Sequence, residues 1–265
     1  MISITLPSLY PEILVTCLEN LDASTAGPFE VVVVGPEKPR VGLKRGTLVW
    51  IEEHEQRGIA AAHEQAFRAS EGSFVLAWAD DHLMEGGWDN AALSEFGARE
   101  RTGKIFSLGL RHTPPHDHVQ TIFGRFYPCF PLMRRADVLS VGGWLSGAFR
   151  HGFSDSDLAL RVWESGGRCE WSNVRPVRVT QGSARGPKPV GYEEALNADR
   201  DLLVRGWRHI VETEGWDCSD ASRFNTWISP AMPLFDTEER TVFHPFPAEF
   251  WAQREARKAL HAITV

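Results

Sequence analysis

Two acidic segments have residue types and spacing that could do chemistry. In the first, the apolar run FVLAWA at 74–79 leads straight into Asp80-Asp81-His82. A carboxylate at the tip of a buried strand is rigidly placed, and one or two such groups can hold a divalent cation against phosphate oxygens. The second is GFSDSDLALRVWESGG, where Asp155 and Asp157 fall in the first turn of a helix expected over 154–167. Ser154 suits the N-cap of that helix and Gly166-Gly167 its end. A carboxylate there can take a proton from an attacking hydroxyl if burial or a neighbouring charge lifts its pKa from about 4 towards the working pH. Each segment also has a plainer reading. Acidic turns commonly follow strands, and first-turn carboxylates stabilise a helix by roughly 0.3–1 kcal/mol each through its dipole.

Three further features bear on chemistry. His82 adjoins the acidic turn and is either a turn residue or a ligand that suits Mn2+ tolerably and Mg2+ poorly. The stretch RHTPPHDHVQT carries His112, His116, Asp117 and His118 spaced by two prolines, so it reads as a solvated loop, with a metal site or a lid as alternatives. Arg161 follows Asp157 by four residues, the spacing of a helical ion pair.

These groups need elements to position them. Apolar runs at 2–6, 29–34, 47–51 and 74–79 read as strands, and the patterns at 12–21 and 59–70 as helices. The FEVVVV run at 29–34 is continuous and β-branched, as in strands buried on both faces of a parallel sheet. Strand–helix–strand–strand–helix–strand order predicts a mostly parallel sheet flanked by helices, which binds ligands at the carboxyl ends of its strands. The turns at 35–37 and 80–82 lie at such ends. Later come a helix over 87–101, strands over 104–110 and 130–134, and a short helix over 136–141 before Gly142-Gly143-Trp144. Beyond 183 the pattern becomes helical, over 192–211 and 248–262, with a stretch rich in Pro and Trp between.

Composition removes several classes. With 265 residues and 43% hydrophobic content the chain can bury a sizeable core, and a net charge of −7 gives no basic footprint for a nucleic-acid polymer. No apolar run approaches the ~20 residues that span a bilayer. The start MISITLPSLYPEIL lacks the charged lead and long apolar core of a signal peptide. Cys17, Cys129, Cys169 and Cys218 form no CxxC pair, so a cytoplasmic protein with reduced thiols is expected.

Taken in order, six segments resemble family 2 glycosyltransferases over roughly residues 1–182. ISITLPSLYP resembles the opening strand and loop that receive the nucleotide, and EVVVVGPE the second strand. GIAAAHEQAFRASEG, opening on Gly58, matches the glycines and alanines that precede the metal strand, and FVLAWADDH the strand with its Asp-x-Asp motif. PLMRRADVLSVGGW resembles the strand, arginine and Gly-Gly-aromatic element, and GFSDSDLALRVWESGG the helix that carries the catalytic base.

The resemblance implies a GT-A-like, Rossmann-like α/β domain over 1–182 with a small C-terminal helical extension over 183–265 packed on it. It implies transfer of a sugar from a nucleoside-diphosphate sugar to a hydroxyl of a glycan or other acceptor, by a single inverting displacement. Asp155 falls on the base, and Asp157 on a supporting carboxylate near the acceptor. Asp81 falls on the last acid of the metal motif, with Asp80 beside it and His82 as a substitute ligand for Mn2+ or Mg2+. Thr5, Pro7, Gly35, Glu37 and Gly58 fall where the nucleotide is held, and Trp144 where donor and acceptor sugars meet.

The chain also departs from the pattern. Gly35 or Pro36 replaces the acid that ends the second strand, Ala79 the first Asp of the metal motif, His63-Glu64 an Arg-Asn pair, and Ser154 the Glu before the base. Thr180 or Gln181 stands where a late metal-ligating histidine is usual. Those losses leave a non-catalytic nucleotide- or glycan-binding descendant as the alternative. A nucleotidyltransferase is disfavoured, because no Gly-rich phosphate loop with Lys or Arg follows the first strand.

Overall fold

The β-branched run forms β2 (Phe29–Gly35), and each of its residues is buried. It belongs to a computed structural model that describes residues 1–110, 119–178 and 191–228. Around β2 the first half contains β1 (Ile2–Pro7), α1 (Pro11–Ser24), β3 (Thr47–Glu52), α2 (Ile59–Ala69) and β4 (Phe74–Ala77). β5 (His82–Leu83), α3 (Trp88–Arg99) and β6 (Phe106–Leu110) complete it. Pro11 opens α1, where its missing N–H costs nothing.

The second half runs β7 (Val119–Ile122), β8 (Arg125–Tyr127), β9 (Phe130–Arg134), α4 (Arg135–Ser140), α5 (Ser154–Glu164), β10 (Arg168–Trp171) and β11 (Val177–Arg178). The C-terminal extension supplies α6 (Tyr192–Gly206), α7 (Arg208–Glu214), α8 (Ala221–Phe224) and β12 (Asn225–Ile228).

Seven strands form the main sheet in the order β10-β6-β9-β4-β1-β2-β3. β9 runs antiparallel to β4 and β6, while the other pairings are parallel. The carboxyl ends of six strands therefore share one edge with the amino end of β9. Alternation along the strands sorts the core. Ile2, Ile4, Leu6, Val31, Val33 and Leu76 pack with residues of α1 and α3, whereas Val75, Ala77 and Met133 pack with residues of α2 and α5. Leu203, Trp207, Trp216 and Phe224 of the extension join this second core.

The short elements differ from the sequence expectation. β4 stops at Ala77, and the chain turns where His82 N donates to the Ala79 carbonyl (3.3 Å). The helix expected over 192–211 is two helices broken at Trp207. β5 pairs with β11, and β12 crosses to β7 in a three-stranded sheet with β8, so the extension is not purely helical. Strands of two to four residues carry too little periodicity to be read. The expected helix over 248–262, the histidine loop His112, His116, Asp117 and His118, and Thr180 and Gln181 lie outside the described residues. Among the described residues, no helix is long and apolar enough to cross a membrane.

Candidate active site

Close backbone packing closes the carboxyl edge at β1, β2 and β3. Ser8 N donates to the Val34 carbonyl (3.0 Å) and Glu53 N to the Gly35 carbonyl (2.9 Å). A Cβ on Gly35 would sit 2.2 Å from the Ser8 carbonyl oxygen, so only glycine lets these loops meet. Pro7 is half-buried at the end of β1, and Glu37 is exposed on the following turn. Gly58 opens α2 with φ +108, and a Cβ there would lie 2.2 Å from the Arg150 carbonyl oxygen. Ile59 N donates to that same oxygen (3.1 Å), which ties α2 to the loop before α5.

Thr5 and Trp144 do not face an open cleft, contrary to the sequence expectation. Thr5 is fully buried and its hydroxyl lies 2.8 Å from His63 Nδ1, accepts from Trp144 Nε1 (3.3 Å) and donates to the Leu76 carbonyl (3.2 Å). The Trp144 ring is 2% exposed and stacks on Phe67 at 6.0 Å. Burial pulls the His63 pKa down to about 3, so this ring is a neutral hydrogen-bonding group. These residues brace the floor of the edge from within.

The acidic turn is buried and hydrogen-bonded. Asp80 Oδ2 accepts from Ser8 Oγ (2.7 Å), which joins the ends of β1 and β4. Asp81 is 2% exposed, and its Oδ1 lies 2.7 Å from His82 Nδ1. The His82 ring is enclosed by Trp78 and Phe130, with centroids at 5.9 and 4.8 Å. It therefore stands behind Asp81 as an orienting partner, where sequence alone had offered it as a ligand. Among the described residues, no three His, Cys, Asp or Glu side chains are grouped to hold a metal. The two aspartates offer hard oxygen donors, and they fit a cation that shares its coordination with phosphate oxygens.

The first turn of α5 is built differently. Ser154 is not its N-cap: Phe153 takes that position at φ +63, and no side chain caps the helix. Asp155 is half-buried, and its Oδ1 accepts from Ser156 N (2.8 Å). Loss of water raises its pKa to about 6 against that hydrogen bond. Burial, and then the Asp155 charge, hold the Tyr127 phenol and the Cys129 thiol well above their usual ranges, so both stay protonated. Tyr127 Oη donates to Asn225 Oδ1 (3.0 Å), and Cys129 Sγ donates to Gln120 Oε1. Cys129 adjoins Phe130, so residues 127–130 run from beside Asp155 to the ring that packs on His82.

Asp157 has another task. Its Oδ2 accepts from Arg161 Nε (2.9 Å), the expected pair, and its Oδ1 from Trp207 Nε1 (3.0 Å). Arg161 also donates to the carbonyls of Val141, Gly143 and Trp144 at 2.7–3.0 Å. Asp157 thus props the Gly-Gly-Trp loop through Arg161. Both of its carboxylate oxygens are engaged within the protein.

No family model matches the chain, and no curated protein matches it in sequence. Solved structures do match in shape. The mannosyltransferase PcManGT from Pyrobaculum calidifontis, with GDP-Man and Mn2+, aligns over 81% of this chain and 63% of its own at TM-score 0.54 and 18% identity. The structure of GalNAc-T7 with UDP, GalNAc and Mn2+ aligns over 81% and 50% at 0.57 and 10%. S. aureus TarS 1-349 in complex with UDP aligns over 77% and 65% at 0.53 and 13%. This chain has a GT-A fold. It spans 39% of the longer TarS structure, so it corresponds to only part of such a protein.

Several residues that surround these carboxylates were not legible in the sequence. His63 under Thr5 sits in an alanine-rich helix, Tyr127 ends a three-residue strand, and Cys129 lies in the link from it to β9. Asp199 on α6, which contacts the loop before Asp155, has no local signal at all.

Proposed function

We propose that the chain is an inverting glycosyltransferase that moves a sugar from a nucleoside diphosphate to a hydroxyl acceptor, with Asp155 as general base. The observation that carries this reading is the Asp155 carboxylate in the first turn of α5, its Oδ1 on the Ser156 amide at 2.8 Å. No cationic side chain among the described residues is paired with it there, and loss of water pushes its pKa up to about 6. A base that titrates near the working pH is ionised yet still basic enough to take a hydroxyl proton. The GT-A fold, whose solved examples hold UDP, UDP-GlcNAc or GDP-Man, supports a nucleotide-sugar donor.

Asp155 accepts the proton as the acceptor oxygen attacks the anomeric carbon, and the bond to the diphosphate breaks on the opposite face. Pro7, Gly35, Glu37 and Gly58 shape the nucleotide end of the edge. Asp81, with Asp80 beside it, would hold a divalent cation, Mn2+ or Mg2+, which would neutralise charge on the leaving diphosphate. His82 keeps the Asp81 carboxylate oriented, and Thr5, Trp144 and Asp157 brace the walls.

Wild-type protein and Asp155→Asn, assayed with UDP- and GDP-sugars and Mn2+, test this directly. The variant should lose transfer by about 1,000-fold while calorimetry shows nucleoside-diphosphate binding within about twofold of wild type. Full turnover by the variant would remove Asp155 as the base. Nucleotide binding by wild type without transfer or hydrolysis would favour the non-catalytic descendant, the reading that Gly35, Ala79 and Ser154 speak for.

A further inference from the structure

The loop that delivers Asp155 is gripped by a helix of the C-terminal extension. Asp199 of α6 is 4% exposed, and its carboxylate accepts from three successive backbone amides: Arg150 N (2.9 Å), His151 N (2.6 Å) and Gly152 N (3.0 Å). Three neighbouring N–H groups can converge on one carboxylate in few backbone conformations, so this contact selects the shape of the loop. The next residue, Phe153, holds φ +63, a conformation that a bulky side chain rarely adopts without external restraint. No side chain caps α5 at this residue, and Phe153 is held by its packing against the core and by the Asp157 amide on its carbonyl (2.8 Å).

The same helix makes further contacts along this stretch. Tyr192 packs on His151 with ring centroids 5.0 Å apart. Trp207, which ends α6, donates to Asp157 one half-turn beyond Asp155. Asp155 is thus bracketed by α6 on both sides in sequence, at 150–152 and at 157.

We propose that α6 is part of the catalytic apparatus and that Asp199 is a positioning residue which sets the placement of Asp155. Trp207 completes the grip from the far side. The proposal rests on the reading of Asp155 as the base, yet it makes a claim about Asp155 that can be measured without turnover. Tyr127 of β8 and Cys129, which feel the Asp155 charge, are both held protonated. Asp157, Asp199 and His151 are the other titratable groups along this stretch, so the Asp155 signal is assigned by its loss in Asp155→Asn.

The test uses the full chain with Asp199→Asn, which keeps the side-chain shape but replaces one acceptor oxygen with a donor. Trp207→Phe, which keeps the ring and removes only the N–H, is the gentler second variant. Asp199→Asn should lower kcat by about 100-fold, as expected for a misplacement near 1 Å, with the donor KM within about twofold. Trp207→Phe should lower kcat by about threefold to tenfold. Carbon-13 titration should show the Asp155 midpoint moving from about 6 towards an ordinary carboxylate as the loop loosens. A cooperatively folded Asp199→Asn or Trp207→Phe protein with unchanged kcat and an unchanged Asp155 midpoint would overturn the proposal, leaving α6 a purely structural clamp. If wild type transfers sugar from no donor, the glycosyltransferase reading fails. The titration still decides this inference: a moved midpoint upholds the placement role and an unmoved one ends it.

Discussion

The acidic turn after β4 and the first turn of α5 each carry two aspartates, and the protein treats the two regions in opposite ways. Asp80 and Asp81 are buried at a strand tip beside Ser8 and His82, side chains that hold them in place. Asp155 is half-buried beside a phenol and a thiol that stay protonated, and partial loss of water raises its pKa to about 6. The contrast repeats inside α5, where Asp157 is paired with Arg161 and Trp207 only two residues from the raised Asp155. Asp80, Asp81 and Asp157 have side-chain partners that fix their positions, whereas Asp155 accepts from the Ser156 amide in surroundings that raise its pKa.

The largest effects should separate the two regions by what they disable. Asp81→Asn and Asp155→Asn should each cut transfer by about 1,000-fold. Calorimetry with and without Mn2+ should show that only Asp81→Asn abolishes the metal's contribution to nucleotide binding. Equal loss of nucleotide binding in both variants would erase the distinction.

The pH dependence sharpens it. A base with a pKa near 6 gives transfer an acid limb there, falling about tenfold per unit below it. Stability moves in the opposite sense. The folded-state pKa is raised above the ordinary 3.8, so protonated Asp155 favours the folded chain at low pH, and that contribution fades as pH rises through about 6. Denaturant titrations should therefore find Asp155→Asn more stable than wild type at pH 8, by up to about 3 kcal/mol, with the gap closing by pH 4. Asp157→Asn should instead destabilise at pH 8, because it takes a partner from Arg161.

Smaller effects concern the braces. Arg161→Ala removes an ion pair and three carbonyl contacts, and should cost about 2–3 kcal/mol in chemical unfolding. Gly35→Ala forces a Cβ against the Ser8 carbonyl and should cost about 1–2 kcal/mol, with nucleotide affinity falling more than kcat. An Arg161→Ala variant of wild-type stability would show that the Gly-Gly-Trp loop needs no prop.

Much of the architecture was legible because it follows from long apolar runs. β2, β9 and the helices flanking the parallel half declare themselves through periodicity and through breakers such as Gly35-Pro36 and Gly166-Gly167. Ordered motifs single out Asp155 and Asp81 in the sequence, and the Asp157–Arg161 pair was legible from helical spacing. Burial was not. Trp144 and Thr5 look like ligand contacts in a string of letters, and only packing reveals that Phe67 and His63 enclose them. His82 likewise looks like a ligand until Trp78 and Phe130 surround it. The grip of Asp199 on residues 150–152 joins segments far apart in the chain, and an acid in the polar helix NADRDLL carries no mark of its partners.

The central claim is that the protein holds Asp155 as a dehydrated carboxyl ready to accept a proton. Carbon-13 titration of wild-type protein, with the Asp155 signal assigned by its disappearance in Asp155→Asn, measures this directly. The account predicts a midpoint close to 6; a midpoint near the ordinary carboxylate value of about 4 would contradict it.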